Sequence, residues 1–270
     1  MSWARIMAPL AGGVGDEQTL KAAAAVAAPF EAELAAVHAP ADVADLMPWM
    51  GEGFMGGVQI TAMDSLKEAA AEGERAARLA ADNCGYARTT FISLETPVWA
   101  GLSMEGRLSD VVVFSEDAAR GKGPLAEAFQ QTVADEQRPT IVAREGLDPA
   151  GVAAIAWDGG KEASRAARTA LPLLAKASRV VILGAPSASS RNFDCARLQA
   201  FLAARGVASD VEVIDQSGDA ADLILAAAKA AGAGILVAGA FGHPRLQEYI
   251  FGGTTRTLLN NPGPSLFLSH

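Results

Sequence analysis

The sequence predicts an α/β fold made of two doubly wound, open parallel-sheet domains in tandem, with five strands in each. Three observations support this. The chain has 270 residues, enough for about two domains, and 50% of them are hydrophobic. Short apolar runs alternate with stretches of helical periodicity, as in folds built from βαβ units. The second half of the chain also repeats the pattern of the first half, as an internal duplication would.

The apolar runs are short and rich in Val, Ile, Leu, Ala or Phe, which is typical of strands buried on both faces of a parallel sheet. In the first half these runs lie at 4–9, 33–38, 89–94, 110–115 and 139–143. In the second half they lie at 152–157, 180–183, 207–214, 235–239 and 265–269. Helical patterns separate the later strands at 161–176, 190–205, 219–231 and 253–261. Asp219 is a candidate N-cap, and Pro262 ends the last helix.

The two halves align at two places with different offsets. Ala11 aligns with Asp158 at an offset of 147, and Pro139 aligns with Pro264 at an offset of 125, so the first half carries 147 − 125 = 22 extra residues. The extra residues fall between Ala39 and Ala62. We expect domains at 1–147 and 148–270.

The charge and the N-terminus limit the kinds of partner. The formal net charge is −9, which argues against a nucleic-acid binder, since such proteins present a basic face. The apolar stretch 223–241 contains Lys229 and is broken by two glycines, so we interpret it as a helix that leads into a buried strand and not as a membrane span. No signal-peptide pattern is present, and we expect a cytoplasmic protein.

The segment 239–256 carries the strongest functional signal. It follows a predicted strand and opens a predicted helix, which is where doubly wound sheets bind ligands. Its glycines permit close backbone approach to a phosphate, and the amides at a helix N-terminus favour an anion. Arg245 and Arg256 are opposed only by Glu248, so the segment is locally positive. The alternative is that these glycines serve only as turns and a helix cap.

At this point the sequence resembles the universal stress protein family. That family carries G-x2-G-x9-G followed by Ser or Thr after its fourth strand, and Gly239, Gly242 and Gly252 match the spacing. Gly253 stands where the family has Ser or Thr, with Thr254 next to it. The family also places an Asp at the end of its first strand, and Asp158 matches it. The resemblance covers the second half and, more weakly, the first, as in the tandem form of this Rossmann-like family, whose fold is similar to that of the adenine nucleotide alpha hydrolases.

The resemblance implies that the second half binds an adenine nucleotide, ATP or AMP, with Mg²⁺ as a further option and with no dedicated metal site. Asp158 would hold the ribose or adenine side. The remaining implied nucleotide-binding residues are Trp157, Ala238, Gly239, Gly242, His243, Gly252, Gly253, Thr254 and Thr255. Two of these have simpler alternatives, because Trp157 could be plain core packing and His243 could be a solvated loop residue.

The first half departs from the family pattern. Ala11 stands where Asp is expected, and Glu116 and Asp117 follow the fourth strand, where they would repel phosphates. We predict that this half has lost nucleotide binding and serves as the structural partner in an intramolecular pseudo-dimer. The resemblance implies that the apolar final strands of the two halves, at about 139–143 and 264–269, pair or pack together and so cover open sheet edges. A homodimer of the whole chain is a further alternative.

The extra segment is rich in residues that form adaptable contact surfaces: Met47, Trp49, Met50, Phe54 and Met55. It is interpreted either as a lid packed on its own protein or as a loop that docks an unknown protein partner or a hydrophobic ligand. No catalytic residue is assigned, because GxSxG and HExxH motifs are absent and the three histidines are scattered. The function that the resemblance implies is that of a stress-response protein that binds an adenine nucleotide. The alternatives are a nucleotide-free interaction module of the same fold and a weak ATPase.

Overall fold

The computed structural model describes residues 2–39, 56–94, 98–184, 194–214, 218–240 and 253–270. Its first half contains β1 (Arg5–Leu10), α1 (Asp16–Ala27), β2 (Glu33–His38), α2 (Gly56–Asp82), β3 (Thr89–Ser93), α3 (Val98–Arg107), β4 (Val111–Ser115), α4 (Glu116–Ala119), α5 (Ala126–Ala134) and β5 (Thr140–Ala143). Its second half contains β6 (Val152–Trp157), α6 (Lys161–Thr169), α7 (Leu171–Leu174), β7 (Arg179–Gly184), α8 (Cys195–Ala203), β8 (Asp210–Val213), α9 (Ala220–Ala230), β9 (Ile235–Gly239), α10 (Gly253–Asn260) and β10 (Ser265–Ser269). The predicted α/β class is confirmed.

The strands form one ten-stranded sheet in the order β3-β2-β1-β4-β5-β10-β9-β6-β7-β8. Each half therefore repeats the same local order, and its strands are parallel. The two halves join where β5 and β10 run antiparallel, with Phe267 opposite Ile141. The predicted pairing of the final strands is thus observed, while the domain boundaries at 147 and 148 stay a prediction.

Helices cover both faces of this sheet and bury two apolar layers. Side chains alternate between the layers along each strand, so that Ile155 lies in one layer and Ala154 in the other. Trp3 of the first half stacks on Phe267 of the second, with ring centroids 6.2 Å apart and planes within 6°. The layer that contains this pair also holds residues of α1, α2, α6 and α8 and is continuous across the two halves.

The predicted strand at 207–214 is shorter in the structure, because its first residues pack against the end of α8 and do not join the sheet. Gly206 takes a positive φ of 76° after α8, and the amide of Val207 donates to Leu202 O at 3.0 Å. Val207 is consequently buried against the end of this helix. Only β8, a fully exposed edge strand, remains in the sheet. The predicted cap Asp219 is confirmed, since its carboxylate accepts from Ala221 N at 3.0 Å.

A buried arginine ties the two halves together beside the end of α10. The guanidinium of Arg144 donates to the carbonyls of Leu258 and Leu259 at 2.8 and 2.9 Å, and its Nε lies 2.7 Å from Glu116 Oε1. Arg120 also pairs with Glu116, at 2.8 Å, and donates to Leu259 O at 3.1 Å. We call Arg144, Glu116 and Arg120 the arginine latch. It supplies donors to the C-terminal carbonyls of α10, which have no partners inside their own helix.

The latch changes the interpretation of Glu116. The sequence suggested that this carboxylate would repel phosphates, but two arginines compensate its charge. Burial lowers the pKa of Arg144, while the neighbouring Glu116 acts in the opposite direction and favours the charged form. The charge of Glu116 therefore does not account for the predicted loss of nucleotide binding in the first half.

Candidate functional site

The carboxyl ends of β6 and β9 lie side by side where the order of connections reverses. Ile155 is registered opposite Val237, so two residues later Trp157 and Gly239 end their strands together. From this point the chain of the second half proceeds outward through β7 and β8 on one side and through β10 on the other. Such a switch point is the usual ligand crevice of doubly wound sheets.

Gly239 has a packing reason for being glycine. A Cβ atom at this position would lie 2.6 Å from the backbone N of Ala163 and 2.6 Å from the carbonyl carbon of Glu162. The first turn of α6 therefore approaches the end of β9 more closely than any side chain would permit. Ala238 is buried at the same strand end. These two predicted residues therefore lie at the end of β9, beside the switch point.

Asp158 lies at the end of β6, as predicted, and forms a tight turn with the glycines that follow. Its Oδ1 accepts a hydrogen bond from Gly160 N at 2.8 Å. Gly159 takes a positive φ of 76°, which matches the φ of 75° at Gly12 in the first half. The offset of 147 taken from the sequence is therefore reproduced by the backbone.

The corresponding loop of the first half is occupied by a carboxylate. Asp16 is buried, and it accepts hydrogen bonds from the amides of Ala11 at 2.9 Å, Gly12 at 2.8 Å and Gly13 at 3.2 Å. The offset of 147 puts Ala163 in the place of Asp16 in the second half. No carboxylate can be supplied from that position to the loop at 158–160.

A helix also fills the space beside this first-half loop. A Cβ atom on Gly12 would lie 2.5 Å from the Cα of Gly73, which belongs to α2. His38 lies at the end of β2, is 3% exposed, and donates a hydrogen bond from its Nδ1 to Leu10 O at 3.2 Å. Its Cε1 would be 3.7 Å from a Cβ on Gly73. The space beside the loop at 11–13, at the ends of β1 and β2, is thus occupied by α2 and the buried imidazole.

The first turn of α10 opens toward solvent in the second half. Gly253 and Thr254 are exposed, and a Cβ on Gly253 would meet nothing within 4 Å. Thr255 is buried, so its hydroxyl does not share the exposed surface of its two neighbours. Arg256 is exposed on the same turn. The N-terminal amides and the dipole of this helix favour an anion here.

Several predicted residues lie outside the described part of the chain. These are Gly242, His243 and Gly252 of the glycine motif and Met47, Trp49, Met50, Phe54 and Met55 of the extra segment. Within the described residues, no cluster of three or more His, Cys, Asp or Glu side chains could hold a metal ion. No helix in the same part of the chain is long and apolar enough to cross a membrane.

Trp157 is a core residue, as the simpler sequence interpretation had it. It is 8% exposed and packs in the same apolar layer as α6 and α8. Its indole N–H is buried and has no hydrogen-bond acceptor among the residues that the structure describes. The sequence gave no indication of this unsatisfied donor, because it depends on what surrounds the ring.

Sequence reasoning also missed Glu162 and the arginine latch. The side chain of Glu162 is only 13% exposed at the start of α6, beside Gly239, and its Oε1 lies 3.2 Å from Lys161 Nζ. A Glu in a first helical turn is ordinary, so its position at the crevice could not be read from the sequence. Arg144 likewise follows a strand without any motif around it.

Comparison with known proteins agrees with this architecture. Residues 184–262 match the family model described as the universal stress protein family. A universal stress protein from Archaeoglobus fulgidus superposes with a TM-score of 0.68 at 13% identity, covering 98% of this chain and 95% of that one. A protein from Pseudomonas aeruginosa, described as a candidate universal stress protein, superposes with a TM-score of 0.56 at 15% identity and covers 99% and 93%. A search of curated proteins finds no match.

The fold defines a doubly wound α/β protein with a strand switch point between β6 and β9, the position at which such folds usually bind ligands. The resemblance to the universal stress protein family is confirmed by the family match in the second half. At these identities, the structural likeness over nearly the whole chain shows the fold alone.

Proposed function

We propose that this protein binds one adenine nucleotide per chain, at the crevice between β6 and β9, and takes part in a stress response through that bound state. The observation that carries the proposal is the difference between the two halves. Asp16 occupies three loop amides of the first half, and α2 packs against that loop. In the second half Ala163 stands in the place of Asp16, and the only loop amide that a carboxylate engages among the described residues is Gly160 N, which donates to Asp158.

The residues at this crevice suit the parts of a nucleotide. Asp158 offers to a ribose hydroxyl or to the base its Oδ2, which has no hydrogen-bond donor among the described residues, while its Oδ1 is engaged by Gly160 N. The exposed first turn of α10, at Gly253 and Thr254, offers backbone amides to phosphate oxygens. Arg256 adds positive charge to that turn. Glycine at 253 removes the hydroxyl of the family motif but keeps its amide.

The position of the arginine latch, at the C-terminal end of α10, is consistent with an anion bound at the N-terminal end of the same helix. Cations at the C-terminal end of a helix and an anion at its N-terminal end both complement the helix dipole. Arg144 and Arg120 supply the first of these at α10, and a phosphate would supply the second. Because the latch belongs to the first half, a shift of α10 on nucleotide binding would be transmitted there. A partner that distinguishes the two positions would respond to the ligand.

Isothermal titration of ligand-free protein with ATP and AMP tests the proposal. We expect one site per chain in the wild type. Gly253→Asp places a carboxylate at the open first turn of α10, where it should weaken binding about tenfold or more without steric strain. Gly15→Asp is the matched control, since Gly15 precedes α1 and a Cβ there also meets nothing within 4 Å.

The same titrations also define the results that would contradict the proposal. Absence of heat with both nucleotides at millimolar concentration would favour a nucleotide-free interaction module. Equal loss in Gly15→Asp and Gly253→Asp would show that the site is not at α10. No side chain among the described residues is placed as a general base for phosphate attack, so no hydrolytic step is assigned.

A further inference from the structure

Helix α10 connects the proposed phosphate site with the first half of the protein. It lies between the parallel strands β9 and β10, so its first turn follows the carboxyl end of β9 and its last turn precedes the amino end of β10. It contains eight residues and is therefore about 12 Å long. The end proposed to bind phosphate and the end that contacts the first half thus belong to one short element.

Arg144 of the first half bonds to the C-terminal end of α10 and to the residues after it. One nitrogen of its guanidinium, Nη2, donates to Leu258 O at 2.8 Å and to Leu259 O at 2.9 Å, and Nη1 donates to Pro264 O at 3.1 Å. Its backbone N–H donates to the hydroxyl of Ser265 at 3.0 Å. A single buried residue therefore fixes both the helix end and the start of β10 relative to the first half.

Arg120 adds donors to the same helix end. Its Nε donates to Leu259 O at 3.1 Å and its Nη2 to Asn260 O at 3.4 Å. Glu116 pairs with both guanidinium groups, at 2.8 Å for Arg120 and 2.7 Å for Arg144, and so holds them beside each other. The carbonyls of the last turn of α10, which have no partner within their own helix, are thus bonded by side chains of the first half.

The second half contributes apolar packing and an exposed hydrogen bond to this helix end. Leu258 and Leu259 are buried in the apolar layer that also contains Leu225 of α9. Asn261, just after the helix, donates to the carboxylate of Asp222 at 2.8 Å. Burial of apolar groups is non-directional, whereas hydrogen bonds depend on distance and angle. The latch therefore determines the position of α10 along its own axis more strictly than the packing does.

A small axial shift of α10 is enough to weaken a phosphate contact. Backbone N–H groups bond to oxygen at N···O distances of about 2.7–3.2 Å, and misaligned bonds weaken steeply. A helix of about two turns moves as one unit, because its own hydrogen bonds connect each residue with the residue four positions on. A displacement at Leu259 is therefore carried to Gly253 and Thr254 in the first turn.

We propose that Arg144 and Arg120 are positioning residues for the nucleotide site of the second half. They hold the last turn of α10, and through it they set the position of the first-turn amides that face the phosphates. The first half thereby determines the affinity of a site that lies in the other half. This inference rests on the proposed function and names the residues on which its affinity depends.

Isothermal titration with ATP tests the role of the two arginines. In Arg144→Met we expect the dissociation constant to rise about tenfold or more, because the α10 carbonyls lose their main donor. Arg144→Lys should lie between that variant and the wild type, since an ammonium keeps the charge beside Glu116 but cannot reproduce the planar fork of the guanidinium. Arg120→Met, at a partly exposed side chain, should raise the constant about threefold and decides the matter if the Arg144 variants do not fold.

Phe267→Ala is the matched control for loss of stability. This ring is fully buried on β10 and stacks on Trp3 across the join, but it lies in the apolar layer on the opposite face of the sheet from α10. We expect this variant to be destabilised and to keep a dissociation constant for ATP within about twofold of the wild type. All titrations are made at a temperature at which circular dichroism shows each variant to be folded.

Amide hydrogen exchange tests the same contacts without nucleotide. In Arg144→Met we expect exchange at the amides of 257–261 to become at least about tenfold faster while exchange in α9 changes less, because the end of α10 opens locally. Phe267→Ala should not accelerate exchange in α10 selectively.

Three results would overturn the inference. ATP affinity could be unchanged in both Arg144→Met and Arg120→Met. It could fall equally in Arg144→Met and Phe267→Ala, which would show a general loss of order. Exchange in α10 could be unaffected by the loss of Arg144. Absence of ATP binding to the wild type would contradict the proposed function and remove this inference with it, whereas binding to the wild type with unchanged affinity in the variants would overturn this inference alone.

Discussion

Asp16 and Ala163 occupy corresponding positions after the first strand of each half. Asp16 accepts from three loop amides, whereas in the second half the described residues show one such bond, from Gly160 N to Asp158. The matching positive φ angles at Gly12 and Gly159 fix this correspondence in the backbone. One half of the protein therefore satisfies its loop internally, while the other leaves the equivalent position apolar. This difference is the structural basis for assigning a ligand to the second half.

Replacing Asp16 should destabilise the protein without creating a second nucleotide site. Asp16→Ala leaves up to three amides of the first loop without their buried acceptor, and we expect a loss of about 1–3 kcal/mol in the free energy of unfolding. Urea denaturation measures this loss. Nucleotide stoichiometry should stay at one, because Gly73 still fills the space beside Gly12. A stoichiometry of two would show that the carboxylate alone closes the first site.

Substitution of Gly239 should disturb packing between β9 and α6. In Gly239→Ala the new methyl group would lie 2.6 Å from the backbone of α6, so we expect about 1–3 kcal/mol of destabilisation. Gly253→Ala is the control, since its methyl group enters open space and should change stability by about 0.5 kcal/mol or less. Equal stability of the two variants in thermal unfolding would contradict the close approach of α6.

Breaking the arginine latch should cost more than breaking an exposed pair. Arg144→Met removes a guanidinium that is 8% exposed and leaves Glu116 and the α10 carbonyls without their main donor, so we expect a loss of about 3–5 kcal/mol. Arg179→Met breaks an exposed pair with Asp210 and should cost less than about 1 kcal/mol. Similar losses in both variants would mean that the latch is energetically no more than a surface contact.

Substitution of Phe267 tests how strongly the two halves stabilise each other. This fully buried ring stacks on Trp3 of the other half, so Phe267→Ala should cost about 3–5 kcal/mol. Because the pair belongs to one continuous apolar layer, we expect the two halves to unfold in a single transition, and calorimetry checks this. Two resolved transitions, with only one shifted by the substitution, would show that the halves unfold separately.

The sequence predicted the strands well because buried parallel strands are short, continuous apolar runs. The prediction was too long at 207–209, since Val207 packs against the end of α8 and does not join the sheet. Periodicity reports which face of an element is buried, and it does not report what that face touches. The antiparallel join of β5 and β10 could be expected only through the resemblance to a family.

The candidate site was predicted less completely. Asp158 and the strand end at Gly239 lie where the sequence placed them. The close contact that requires glycine at position 239 comes from Ala163 of α6, which precedes it by 76 positions in the sequence. The closure of the first half by α2 and the pairing of Glu116 with Arg144 depend on contacts between distant segments. Such contacts leave no local pattern in a single sequence.

A crystal structure of the protein grown with a non-hydrolysable ATP analogue tests the central claim most directly. The account predicts one nucleotide per chain, with its base or ribose beside Asp158 and its phosphates at the first turn of α10, and no density beside Gly12 and Asp16. Density beside Gly12 and Asp16, or a nucleotide seated away from the ends of β6 and β9, would contradict it.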